Sequence, residues 1–93
     1  RYGDRWHMVF CYREMHGFRT DPAKGYRIGF AWSTDLATWT RDDSALGLKG
    51  TPGAWDADMQ CYPHLCVCDE RLFLLYNGNA FGRDGFGLAR IWT

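Results

Sequence analysis

One pattern occurs twice in this chain. Residues 5–12, Arg-Trp-His-Met-Val-Phe-Cys-Tyr, are followed after a polar loop by residues 26–32, Tyr-Arg-Ile-Gly-Phe-Ala-Trp. Further along, residues 71–76, Arg-Leu-Phe-Leu-Leu-Tyr, are followed after a shorter loop by residues 85–90, Gly-Phe-Gly-Leu-Ala-Arg. Each copy is an apolar run ending in Tyr, a polar loop, and an apolar-Gly-apolar-Ala run. A repeat of strand-like units confines the fold to a stacked or radial all-β architecture, in which loops and rims carry function.

The strands follow from local pattern. Residues 6–12 are apolar almost throughout, which predicts burial on both faces. The next loop carries the turn formers Gly17, Asp21, Pro22 and Gly25. A second strand is expected at residues 26–33, a turn at Ser33-Thr34-Asp35-Leu36, and a short outer strand at residues 39–41. A fourth, at residues 59–68, contains Pro63 and must be an edge strand or carry a bulge. Asp69-Glu70 turns the chain into a fifth strand at residues 71–76, and residues 86–92 form the sixth. No window shows a helical period. The domain is read as a single small all-β unit spanning 1–93: a first repeat at 4–41, a connection at 42–58 and a second repeat at 59–92.

Composition narrows the function. A chain of 93 residues buries only about 60–65% of the surface its unfolded form exposes, near the lower limit for a single core. The aromatic share is 17%, which suits a compact core or a ligand surface. Eleven basic and eleven acidic residues give a net charge of +0, which argues against nucleic acid or an anionic membrane as partner. No apolar run is long enough to span a bilayer. The first residue is Arg1 rather than Met, so cytoplasmic location is only the default and an upstream targeting segment stays open.

Cys11, Cys61, Cys66 and Cys68 lack the spacing of a secreted disulfide framework and are expected to be reduced. A zinc site at Cys61, His64, Cys66 and Cys68 is disfavoured unless a bulge at Pro63 brings them together, and Cys61 has the opposite parity. Alternate residues of a straight strand lie about 6.6 Å apart, whereas ligand atoms sit about 2.0–2.3 Å from zinc. Neither metal nor cofactor is expected.

With the strands placed, Ile28-Gly29-Phe30-Ala31-Trp32-Ser33-Thr34-Asp35 with Trp39, Gly53-Ala54-Trp55-Asp56 before Tyr62-Pro63, and Leu74-Leu75-Tyr76-Asn77-Gly78-Asn79 resemble the five-bladed β-propellers of glycoside hydrolase families 32 and 43. The resemblance implies about two propeller-like blades of antiparallel strands, completed by a homo-oligomer because the chain is too short for five blades. It also implies a carbohydrate ligand. Such hydrolases draw three acidic residues from three blades, so a single chain lacks room for the full set. Two carboxyl groups must still flank a scissile glycosidic bond; the candidates are Asp56 as base or nucleophile and Glu14 as acid. Arg13, Asp58, Asn77 and Asn79 are candidate contacts to sugar hydroxyls, and Trp55, in a Gly-rich loop, is the candidate stacking ring. Trp32, Trp39 and Trp92 are read as packing residues, and His7 as a satisfied core residue. A non-catalytic sugar-binding module and a truncated propeller remnant remain the alternatives.

Overall fold

A computed structural model describes residues 1–48 and 53–91. The described residues form two three-stranded antiparallel sheets, β1-β2-β3 and β4-β5-β6, and no α-helix. The strands are β1 (Trp6–Tyr12), β2 (Arg27–Ser33), β3 (Thr40–Arg41), β4 (Cys61–Cys68), β5 (Arg71–Asn77) and β6 (Phe86–Ile91). Trp92 and residues 49–52 of the connection lie outside the described residues.

The motif Ser33-x-Asp35 is turn chemistry. The Asp35 and Leu36 amides donate to Ser33 Oγ at 3.2 and 2.9 Å. The Ala37 and Thr38 amides donate to Asp35 Oδ1, both at 2.9 Å. Those amides hold the Asp35 carboxyl below its ordinary pKa. Ser33 is thereby satisfied although it is only 1% exposed. Where β3 ends after two residues, the Asp43 carboxylate takes over its ladder role by accepting the Phe30 amide at 3.0 Å. Arg41 grips the same carboxylate at 2.8 Å, and that grip is the main reason the Asp43 pKa is lowered.

In the second sheet, Asp69 and Glu70 both adopt positive φ, 50° and 62°, the geometry of a two-residue hairpin between right-twisted strands. β4 is an edge strand with a register shift between Cys61 and His64, so the expectation drawn from Pro63 is met on both counts. Tyr62, inside that irregularity, has φ 50°. Its amide donates to Cys11 Sγ at 3.2 Å, which joins the edges of the two sheets. All four thiols are free.

The sheets pack face to face. Ile28 and Phe30 of β2 meet Leu72, Leu74 and Tyr76 of β5 and Ile91 of β6, with Leu46 of the 3-10 turn Asp43–Leu46 beside them. Phe30 and Leu74 are 1% and 0% exposed. β1 departs from its apolar sequence: none of its residues is fully buried, because it is an edge strand and its outward face has no sheet over it. His7 stacks on Phe30 with centroids 5.6 Å apart and its Nε2 meets the Tyr2 carbonyl at 3.1 Å. Its buried Nδ1 has no hydrogen-bond partner, so the ring is only half satisfied.

The register refines the repeat. Phe10 lies opposite Gly29 and Tyr76 opposite Gly87. In both copies an aromatic ring lies over a cross-strand glycine: a Cβ on Gly29 would come within 2.4 Å of the Phe10 ring, and one on Gly87 within 3.1 Å of Tyr76. Tyr76 is therefore the counterpart of Phe10, not of Tyr12 as the run endings suggest. Only pairing to the following strand reveals this.

Candidate functional site

Three loops meet at one end of the sheet pair and enclose a cleft of about 530 Å³. The β1–β2 loop supplies Phe18, Arg19, Thr20 and Asp21; the connection supplies Asp58 and Met59; the β5–β6 loop supplies Asn79, Ala80, Phe81, Arg83 and Asp84. Three carboxylates and two guanidiniums thus line it, beside two phenyl rings. The lining therefore presents hydrogen-bond acceptors and donors side by side.

Asn79 builds the floor. Its Oδ1 accepts the amides of Asp58 and Met59 at 2.9 and 3.0 Å, and its Nδ2 donates to the Ala54 carbonyl at 3.1 Å. Its own amide donates to the Trp55 carbonyl at 2.6 Å. One side chain therefore locks the connection to the β5–β6 loop. Met59 completes the joint by accepting the Phe81 amide on its sulfur at 3.4 Å. From the first sheet, Arg27 donates to the Asp58 carbonyl at 2.6 Å.

The walls are aromatic. Phe81 packs edge-on against Tyr26 at 5.5 Å and lies 6.0 Å from Tyr62. Ala80 and Phe81 both have φ 55°, a left-handed conformation uncommon outside glycine that concentrates at functional loops. Phe81 and Tyr62 stay 46% and 62% exposed. Arg13 braces this group, its guanidinium lying 3.7 Å from the centre of the Phe18 ring while Nε donates to the Tyr26 hydroxyl at 3.3 Å.

Of the residues singled out from sequence, Asp58 and Asn79 line the cleft and Arg13 supports its wall. Trp55, Asp56, Asn77 and Glu14 are not among its lining residues. The Trp55 indole stacks on Tyr76 at 5.6 Å in a notch that only glycines leave open, since a Cβ on Gly78 or Gly87 would come within 2.4 or 2.5 Å of it. Asp56 Oδ2 accepts the Tyr76 hydroxyl at 2.9 Å. Burial, helped by this bond, pushes the Tyr76 phenol up to about 12. Asn77 sits under Gly82. Glu14 is exposed in the loop after β1, where its amide donates to the Lys24 carbonyl at 3.2 Å and its carbonyl accepts from Arg13 at 3.0 Å. Asp56 and Glu14 are thus held by separate segments.

Sequence reading missed Phe18, Arg19, Phe81, Arg83 and Asp84. Phe18 and Phe81 gave the usable signal, an aromatic residue in a polar loop with glycines. Among the described residues no cluster of three or more His, Cys, Asp or Glu could hold a metal ion, and no helix is long and apolar enough to cross a membrane.

No family model matches the chain, and no solved structure matches it. It is 47% identical over 66 residues to the uncharacterised protein MT1551 of Mycobacterium tuberculosis strain CDC 1551 / Oshkosh. The uncharacterised protein Rv1502 of strain H37Rv is similar to the same extent. The match covers 69% of this chain and 21% of each relative. The chain therefore spans about a fifth of the length of the curated relatives it matches.

Proposed function

We propose that this chain is a carbohydrate-binding domain of glycoside hydrolase-like descent, whose two sheets are propeller-type blades completed by association. The cleft carries this reading. Phe81, 46% exposed, offers a flat apolar surface of the kind that sugar rings stack on. Asp58, Asp84, Arg83 and Thr20 offer the acceptors and donors that orient hydroxyls. In this reading Asp56 supports the site from behind through Tyr76. Hydrolysis would need two carboxyls facing one bond, and Asp56, bonded to Tyr76, is not among the carboxylates that line the cleft.

A glycan array followed by calorimetry tests the binding. The chain should show saturable binding to a defined glycan class, and Phe81→Ala and Asp58→Ala should each weaken it about tenfold or more. Absence of binding to any glycan, or unchanged affinity in both variants, would sink the reading. For turnover, an active preparation that keeps full glycosidase activity as Asp56→Asn would remove Asp56 from the chemistry.

A further inference from the structure

The face of the β4-β5-β6 sheet that points away from the core carries an exposed apolar patch, bordered by Asn77, Arg90 and His64. Phe86 is 74% exposed and Leu88 62%, and Phe73 and Leu75 of β5 are half-buried beside them. Register places these four on one face, since Leu75 pairs with Leu88 and Phe73 with Arg90. Contiguous exposed apolar surface of this kind marks an interaction site.

The internal repeat shows what such a face packs against. Aligning the two copies on the Phe10–Gly29 and Tyr76–Gly87 pairs makes Phe86 the counterpart of Ile28, Leu88 of Phe30 and Leu75 of Val9. Ile28 and Phe30 are 5% and 1% exposed because they press on Leu72, Leu74 and Tyr76. The counterparts of those three in the first sheet are Trp6, Met8 and Phe10. They lie on the first sheet's outward face, where Met8 is 38% exposed while Leu74, its counterpart, is 0% exposed. The molecule therefore contains one head-to-tail joint between unlike sheet faces. Among the described residues, both halves of a second such joint also lie uncovered on the two outer faces.

We propose that a second copy of this chain docks its Trp6–Met8–Phe10 face onto the Phe86–Leu88 face of the first, repeating the internal sheet-to-sheet joint. A second copy brings the required face, and the internal joint shows that surfaces of this design seal one another. The contact joins two different patches, so it is heterologous and closes a ring or grows according to its rotation. Arg41 lies over Phe10 and Tyr12 at 5.1 and 4.8 Å, so the incoming face seats beside its guanidinium. The joint is independent of what the cleft binds.

Sedimentation of the whole chain across a concentration series, with Leu88→Asp and Met8→Asp, tests this. The unaltered chain should associate, and each variant alone should stay monomeric, because every copy then lacks one half of the joint. An equimolar mixture of the two variants should recover a 1:1 pair, since one intact face of each kind is present. Variants that had merely misfolded could not rescue each other. A chain that remains monomeric at every concentration, a Met8→Asp variant that associates normally, or a mixture that stays monomeric would overturn the proposal.

Discussion

The Tyr76 hydroxyl donates to Asp56 Oδ2 at 2.9 Å, and this bond joins the central strand of the second sheet to the connection beside the cleft. Tyr76 is 7% exposed, and its ring is also the surface on which Trp55 stacks. One phenol thus fixes both the backbone path of the connection and the direction of the Asp56 carboxylate.

The bond sets an alkaline limit on stability. The Tyr76 pKa is raised from 10.0 to about 12, so its contribution is complete below about pH 10 and is lost as the pH rises toward 12. Unfolding in urea should show a loss on the order of 2 kcal/mol across that window from this group, since one pKa unit corresponds to about 1.4 kcal/mol. Tyr76→Phe should be less stable at neutral pH and should flatten this part of the alkaline profile. An unchanged profile in Tyr76→Phe would assign the alkaline loss to other groups.

Gly29 and Gly87 occupy equivalent places but should respond differently to Ala. A Cβ at Gly87 comes within 2.5 Å of Trp55 and 3.1 Å of Tyr76, whereas the nearest atoms to one at Gly29, at 2.4 Å, belong to the far end of the Phe10 ring. Phe10 is half-buried on an outward face and can swing aside. Gly87→Ala should therefore cost about 2–3 kcal/mol and Gly29→Ala nearer 1 kcal/mol. Equal losses in thermal unfolding would show that Phe10 is as firmly held as the Trp55–Tyr76 pair.

Asn79→Ala should loosen the cleft more than its single side chain suggests. It removes the acceptor of two amides and the donor to Ala54, a loss of about 1–3 kcal/mol for groups left unpaired. Hydrogen exchange should accelerate at the Asp58 and Met59 amides ahead of the strands. Asn79→Asp keeps the acceptor but sets a carboxylate oxygen against the Ala54 carbonyl, so it should recover only part of the protection.

Leu74→Ala should be the most damaging aliphatic truncation in the second sheet. The residue is 0% exposed at the centre of the only core between the sheets among the described residues. A loss of about 2–5 kcal/mol is comparable with the whole stability of a small domain. Leu65→Ala, on the half-buried edge strand β4, should cost less than half as much in the same melt.

The strands were legible in the sequence because their signals are local. Apolar runs, the turn at Asp69-Glu70 and the irregularity at Pro63 each depend on a few neighbours. Two of the residues singled out from sequence, Asp58 of the connection and Asn79 of the β5–β6 loop, line the cleft. What tertiary structure alone decided is which surfaces meet. β1 reads as a fully buried strand, yet its place at a sheet edge leaves it half covered. Trp55 reads as a free ring in a loop, yet Gly78 and Gly87 open a notch that takes it against Tyr76. Phe81 belongs to the cleft only because Ala80 and Phe81 adopt left-handed backbone and the β1–β2 loop arrives from the other sheet. Such meetings join residues far apart in the chain, and a local pattern carries no information about which distant loop will stand opposite.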